Sequence, residues 1–164
     1  NKKQYRSMRY VKILAVALIA VLAMVGCKNN KPDGPKPNQS GLAKAIVKEW
    51  RLGDWGGETV PFDVYIAFNE DGSFELFQRL YTLTYERFAG TYKVEGDILT
   101  GSYENGDNWK CAYKGEVSAD GMTLKLHSQE DQSTTGVYLS TVIPDEVKDE
   151  AATRATAEQG VPFL

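Results

Sequence analysis

The chain has 164 residues, of which 42% are hydrophobic and 25% are charged, and its formal net charge at pH 7 is −3. This length and composition fit one globular domain. The acidic balance argues against a nucleic-acid partner, because neutralisation of phosphates by basic residues dominates that kind of affinity.

Residues 1–26 have the pattern of a secretory signal. Five basic residues and no acidic residue precede Ile13–Val25, a run of thirteen apolar residues. A helix needs about 20 apolar residues to span a bilayer core, so this run is short for a transmembrane segment. A basic start, a short apolar stretch and a small residue before the cut predict a cleaved signal peptide. An uncleaved anchor is the alternative.

Cys27 follows the apolar run directly. The sequence Met24-Val25-Gly26-Cys27 resembles the bacterial lipobox, whose last residue is a cysteine. The resemblance implies diacylation of the Cys27 thiol, cleavage before Cys27 and acylation of the new amino group. Each buried CH2 contributes about 0.8 kcal/mol, so two or more acyl chains anchor a protein stably. The alternative is an ordinary signal followed by a chance cysteine.

Residues 27–41 predict a flexible tether between membrane and domain. The segment is polar and rich in Pro, Gly and Asn, and it buries too little apolar surface to repay its ordering entropy. Without residues 1–26 the chain has 14 basic and 22 acidic residues, a net charge of −8. We expect a lipid-anchored protein of the bacterial envelope, in the outer membrane and facing the periplasm. Exposure at the cell surface stays open.

Strict alternation of apolar and other residues begins in the middle of the chain. The run at residues 60–68 has a period of two, which predicts a strand, and one face holds Phe62, Val64, Ile66 and Phe68. Asp71-Gly72 predicts a tight turn. The next run, residues 73–81, places Phe74 and Leu76 on one face. These two runs predict a hairpin.

Six more segments predict strands by the same pattern, at residues 45–52, 84–94, 98–104, 109–117, 122–128 and 135–143. A helical turn at Gly41–Lys44 precedes the first of them, and Gly90 is expected to bend the strand that contains it. All connections are short, so strands that are neighbours in sequence pair in space. Pairing of the first strand with the last removes both sheet edges.

The sequence therefore predicts an all-β fold, an eight-stranded antiparallel up-and-down barrel at residues 42–147. The C-terminal tail, residues 148–164, is rich in Ala, Glu and Lys, a composition that permits a helix. The last four residues, Val161–Leu164, are apolar apart from their backbone, and we expect them to pack back on the domain.

The order of aromatic residues and turns resembles the short lipocalin-like domain of small lipoproteins from Bacteroides-type bacteria. The resemblance covers about Lys48 to Glu146. Its carriers are Trp50, Phe68-Asn69-Glu70-Asp71-Gly72-Ser73-Phe74, Gly90-Thr91-Tyr92, Leu99, Gly101, Tyr103, Trp109 and Tyr113. The resemblance implies a lipocalin-type barrel and supplies no settled activity.

Residues for catalysis or metal binding are few. His127 is the only histidine, whereas a catalytic triad or a histidine metal site needs further groups. Cys111 has no partner if Cys27 is lipidated, and its apolar neighbours predict a small buried hydrophobe. Most carboxylates lie at turns, where turn chemistry explains them. We expect no enzyme, no cofactor and no metal, with a paired-carboxylate hydrolase as the alternative.

The barrel interior distinguishes two candidate functions. A tethered binding module would hold a small apolar or amphipathic ligand inside, whereas a barrel filled by side chains would serve as a protein-interaction or structural module. An interior pocket of about 300 Å3 or more favours the first function. The predicted pocket residues are Trp50, Phe62, Val64, Ile66, Phe74, Leu76, Tyr103, Trp109, Tyr113 and Leu139. The same residues could equally form the core of the filled barrel.

The substitution Cys27→Ser tests the predicted anchor. We expect the variant to move from the membrane fraction to the soluble fraction, because the acyl chains are its only hydrophobic attachment. The measurement is fractionation of cells followed by a high-salt wash of the membranes. A variant that still sediments with washed membranes would contradict the prediction.

Overall fold

The computed structural model describes residues 41–80, 82–153 and 160–164. The predicted signal peptide, Cys27 and most of the tether lie outside the described residues. No helix in the described part of the chain is long and apolar enough to cross a membrane.

Nine strands and two helices are described. In chain order they are α1 (Gly41–Ala45), β1 (Glu49–Trp55), β2 (Glu58–Thr59), β3 (Asp63–Phe68), β4 (Ser73–Arg79), β5 (Glu86–Glu95), β6 (Ile98–Tyr103), β7 (Tyr113–Val117), β8 (Thr123–Ser128), β9 (Thr135–Thr141) and α2 (Asp145–Thr153).

Eight of the strands form a closed antiparallel sheet. Each strand from β3 to β9 pairs with the next one in sequence, and β1 pairs with β3 on one side and with β9 on the other. Trp50 accordingly lies opposite both Ile66 and Ser140. The β1–β9 pairing confirms the predicted eight-stranded up-and-down barrel, because it satisfies the edge that an open sheet would leave unpaired.

The short strand β2 was not predicted from the sequence. It pairs with the end of β1 across a turn in which Gly56 and Gly57 have positive φ angles of 66° and 88°, a conformation that favours glycine. The Asp54 carboxylate accepts the Gly57 N–H at 2.9 Å. Two exposed residues, Glu58 and Thr59, cannot show an alternating pattern, which explains the omission.

The predicted strand at residues 109–117 is shorter than expected and begins at Tyr113. Only Ile98 and Leu99 of β6 pair with β7. Residues 109–112 leave the ladder instead, and the Trp109 indole turns inward over Gly101. A Cβ atom on Gly101 would lie 2.2 Å from that ring, so the indole can occupy this place only because residue 101 is glycine.

Inward-facing side chains fill the barrel. The most deeply buried large residues are Trp50, Leu52, Ile66, Phe68, Phe74, Leu76, Leu99, Leu124, Leu126 and Tyr138, each at most 2% exposed. Helix α1 packs at one end, which we call the closed end, where Leu42 approaches Leu99 and Gly115. There the Trp50 indole N–H donates to the Ile46 carbonyl at 2.9 Å.

Helix α2 packs on the outer face of the barrel, against β4 and β5. A second apolar cluster joins Tyr65, Ala67, Phe77 and Tyr85 of the barrel wall to Ile143, Val147 and Ala151. The Glu49 carboxylate holds this contact in place, since it accepts the Ile143 N–H at 2.6 Å and pairs with Lys148 at 2.9 Å. Both faces of β3 are therefore buried, one against the barrel interior and the other against the second apolar cluster.

A cluster of charges around Asp63 closes the outer face at the start of β3. Arg51, Arg79 and the Tyr85 hydroxyl all donate to the Asp63 carboxylate. Partial burial alone would raise the pKa of Asp63, but the three hydrogen bonds outweigh it and hold the pKa below the ordinary value. The carboxylate therefore stays charged and joins side chains of β1 and β4 and of Tyr85 at this rim.

Gly90 lies in β5 at a position with very little space around its Cα atom. Gly90 pairs in unbroken register with Phe74 and with Tyr103, so no β-bulge lies at this position. A Cβ atom there would lie 2.0 Å from the Ser102 carbonyl oxygen and 2.9 Å from the Phe74 ring. Close approach of β6 and Phe74 is therefore what requires glycine.

The substitution Gly90→Ala is expected to lower the free energy of unfolding by roughly 3 kcal/mol, because backbone and ring must both move to admit the methyl group. Gly41→Ala is the matched control, since a Cβ at Gly41 meets nothing within 4 Å. Urea unfolding followed by circular dichroism measures both variants. Equal stability of the two variants would contradict this explanation.

Candidate functional site

The end of the barrel opposite α1, which we call the mouth, combines aromatic and polar side chains. Trp55 ends β1, Tyr103 ends β6, and Phe62 directly precedes β3. Gln78 lies near the end of β4, Glu86 begins β5, and Lys110 lies in the segment that leaves the ladder. Because neighbouring strands run in opposite directions, these ends and starts meet at the same end of the barrel.

The segment Gly160–Leu164, which we call the mouth segment, occupies this end. The Phe163 ring packs edge-on against Trp55 with ring centroids 4.6 Å apart, and it lies 5.9 Å from Phe62. Leu164 is 1% exposed and belongs to the interior cluster. Val161, in contrast, is 73% exposed. The expectation that this end of the chain packs back on the domain is confirmed.

Gln78 and Glu86 bind the backbone of the mouth segment. The Phe163 N–H donates to Gln78 Oε1 at 2.8 Å, while Gln78 Nε2 donates to the Val161 carbonyl at 3.0 Å. Glu86 Oε1 accepts the Gly160 N–H at 2.9 Å. Both side chains are buried, at 1% and 5% exposure, so these bonds supply partners that buried polar groups require.

Two further donors complete the contacts at the mouth. The Tyr103 hydroxyl donates to the Leu164 carbonyl at 2.8 Å, and Lys110 Nζ donates to the Phe163 carbonyl at 3.2 Å. Each of these hydrogen bonds ends on a main-chain atom of the mouth segment. The mouth therefore recognises a backbone by hydrogen bonds and apolar side chains by packing.

Aromatic residues beneath the mouth place tyrosine hydroxyls and an indole N–H inside the barrel. Burial raises the pKa values of Tyr103, Tyr113 and Tyr138 above the ordinary value of 10.0, so all three hydroxyls stay protonated at neutral pH. The Tyr138 hydroxyl and the Trp109 indole N–H are buried without a hydrogen-bond partner among the described residues. The hydrogen-bonding capacity of these two groups is therefore unused within the described part of the chain.

The structure places nine of the ten predicted pocket residues towards the interior. Eight are buried, namely Trp50, Val64, Ile66, Phe74, Leu76, Tyr103, Trp109 and Tyr113, and Phe62 is half-buried at the mouth. Leu139 was predicted wrongly, because it is 53% exposed on the outer face, opposite Arg51. Its neighbour Tyr138 faces inward instead. Strand β9 has apolar residues on both faces, so alternation alone does not show which face points inward; the structure buries Tyr138.

The mouth itself was largely missed from the sequence. Gln78 follows Phe74 and Leu76 at the next inward position of β4, and Glu86 precedes Phe88 in the same way on β5. A polar residue at an inward position is unusual in a barrel strand. That break in the alternation was the signal that could have indicated Gln78 and Glu86. Contact with the mouth segment, by comparison, leaves no local pattern.

A groove of about 400 Å3 lies in the outer wall of the barrel, beside the place where residues 109–112 leave β6. Its lining combines the polar residues Thr91, Lys93, Thr100, Ser102 and Asn108 with Gly101, Trp109, Cys111 and Ala112. The exposed positions of Thr91, Lys93 and Thr100 show that the groove opens to solvent rather than into the core.

Metal-binding arrangements are not found among the described residues. No group of three His, Cys, Asp or Glu residues in that part of the chain is placed to hold a metal ion. His127 Nδ1 lies 2.9 Å from the Thr135 hydroxyl, and Nε2 lies 3.8 Å from Glu116. Cys111 is half-buried rather than fully buried, with Sγ 3.3 Å from the Ser128 hydroxyl.

Comparison with known proteins finds one matching family. Residues 46–126 match the family of the lipocalin-like domain. A lipocalin-like protein from Bacteroides uniformis is similar in structure, with 20% identity, a TM-score of 0.48, and coverage of 59% of this chain and 99% of that one. An uncharacterized protein from Bacteroides eggerthii has 17% identity and a TM-score of 0.46, over 58% and 99%. No curated protein matches the chain.

Two tyrosine substitutions test the geometry of the mouth. Tyr103→Phe leaves the buried Leu164 carbonyl without its donor, so we expect a loss of about 1–2 kcal/mol in the free energy of unfolding. Tyr138→Phe is the matched control, because its hydroxyl has no partner among the described residues. This change should leave stability equal or higher. Chemical denaturation of both variants measures the difference, and an equal loss for both would contradict the assigned contacts.

Proposed function

The chain carries a lipocalin-like domain, and from that premise we propose that it is a membrane-tethered binding module of the bacterial envelope. The proposed ligand is small and apolar or amphipathic, and it binds at the mouth. One observation carries this proposal: aromatic side chains and polar tips converge at the mouth around a chain segment that they already hold.

The chemistry of the mouth supports an amphipathic ligand. Trp55 and Phe62 form an apolar wall, and Gln78, Tyr103 and Lys110 present hydrogen-bonding groups beside it. Small-molecule sites typically combine such an apolar surface with a few placed polar groups. A ligand that replaces Phe163 and Leu164 would gain contact with the interior, where the Tyr138 hydroxyl and the Trp109 N–H lack partners among the described residues.

The sequence pattern at residues 1–41 supports the proposed address. The signal pattern and Cys27 provide a lipid anchor, and the tether separates the barrel from the membrane surface. The net charge of −8 that follows from removal of residues 1–26 disfavours adhesion to anionic lipid. We therefore propose that membrane contact is made through the lipid on Cys27, with the domain facing the periplasm.

One observation favours the second candidate, a protein-interaction or structural module. The interior cluster fills the barrel with side chains, and the groove of about 400 Å3 lies in the outer wall instead. A filled barrel would bind a partner with its outer surface or rim. Occupancy of the mouth distinguishes the candidates, because only the first requires the mouth segment to leave.

Both candidates are non-enzymatic. His127 lies on the barrel wall between Thr135 and Glu116, which is the environment of a surface histidine. Glu86, the buried carboxylate at the mouth, binds the backbone of the mouth segment and the Gln78 amide. These contacts support a structural use of both residues.

Ligand binding is tested with the purified domain from residue 28 onward, delipidated and then exposed to an envelope extract. Native mass spectrometry should show a retained mass, and the unfolding temperature should rise because ligand binds only the folded state. Trp55→Ala should weaken retention, whereas Leu83→Ala, at a side chain that is 96% exposed, should not. Absence of any retained mass and of any thermal shift would remove the carrier function and leave the interaction module.

A further inference from the structure

We infer that the mouth is a peptide-recognition site, and that its ligand is an extended apolar peptide with adjacent aromatic and aliphatic residues. The inference rests on the proposed function and specifies its ligand. In the isolated chain the mouth segment, with Phe163 and Leu164, fills this site in cis.

The hydrogen bonds at the mouth match a polypeptide backbone. The Gln78 amide joins the Val161 carbonyl to the Phe163 N–H, so one side chain satisfies an acceptor and a donor two residues apart. Pro162 lies between them and has no N–H to satisfy. Glu86 accepts a third main-chain group, the Gly160 N–H.

An acyl chain or a simple amphiphile cannot reproduce this set. A carboxylate or hydroxyl head could accept from Tyr103 and Lys110, but it would leave the Gln78 amide without the N–H donor and the C=O acceptor that it now binds. A buried polar group that loses its partner costs about 1–3 kcal/mol. A peptide supplies N–H and C=O groups in alternation and meets both needs.

Selectivity comes from two side-chain positions. Phe163 is held between Trp55 and Phe62, and Leu164 is 1% exposed in the interior cluster. Val161 is 73% exposed, so its side chain contributes little to recognition. The site therefore prefers an aromatic residue followed by an aliphatic one and tolerates variation two residues before the aromatic.

The mouth segment competes with any peptide that is added. Six residues, 154–159, join the end of α2 to Gly160, and a short connection gives an effective concentration on the order of mM. An added peptide must exceed that concentration in the wild-type chain. A chain whose own segment binds weakly should accept the peptide much more readily.

The double substitution Phe163→Ala, Leu164→Ala in the full chain weakens the internal competitor and leaves the mouth lining intact. The probe is a fluorescent peptide of sequence GVPFL, acylated at its start and amidated at its end so that it adds no terminal charge. We expect it to bind the double variant at least about tenfold more tightly than the wild type, measured by fluorescence anisotropy. Circular dichroism establishes that the variant is folded, and Phe163→Ala alone serves if the double variant is not.

Controls separate peptide recognition from general adhesion of apolar molecules. Peptide GVPAA should not bind. Addition of Gln78→Ala to the double variant should weaken binding of GVPFL about tenfold, whereas addition of Leu83→Ala should not. If the double variant is folded but fails to bind GVPFL, or binds GVPAA equally well, the inference is overturned.

Lauric acid, tested on the same double variant, distinguishes failure of the inference from failure of the proposed function. If lauric acid binds and GVPFL does not, the mouth holds an amphiphile and only the peptide inference fails. If neither binds, the peptide inference fails, and the envelope-extract experiment described above decides the proposed function.

Discussion

The pairing of β1 with β9 is the contact on which the remaining structure depends. It runs from Glu49 opposite Thr141 to Trp55 opposite Gly136, and it turns a sheet with two edges into a barrel. At one end it brings Glu49 within reach of Lys148, which positions α2. At the other end a Cβ atom on Gly136 would lie 3.0 Å from the Trp55 ring, so the missing side chain makes room for the indole.

Closure of the sheet leaves two ends to be covered, and the chain covers them differently. Helix α1 covers the closed end with apolar contacts and one buried hydrogen bond, from Trp50 to Ile46. The mouth is covered by the mouth segment, held by side chains from several strands and by hydrogen bonds to its backbone. The mouth segment belongs to no strand, so under the proposed function a ligand could replace it without breaking a β-ladder.

The repeating pattern of the strands made most of the fold predictable, because alternation reports directly which residues face the core. Phe62, Val64, Ile66, Phe74 and Leu76 were all assigned to the inward side from this pattern alone. The prediction failed where a strand has apolar residues on both faces, as for Leu139 in β9. It also failed at residues 109–112, which precede the strand instead of belonging to it, and where the Trp109 indole packs on Gly101.

The sequence by itself determined the barrel class, the antiparallel order and the end of the last strand before Pro144, since each follows from local alternation and turn residues. Only the tertiary structure decided that Gln78, Glu86, Tyr103 and the mouth segment form one site. The physical reason is distance along the chain: Gln78 and Phe163 are 85 residues apart, and no local pattern encodes which buried amide will meet which backbone. Packing and the need to satisfy buried polar groups make that choice after the barrel has closed.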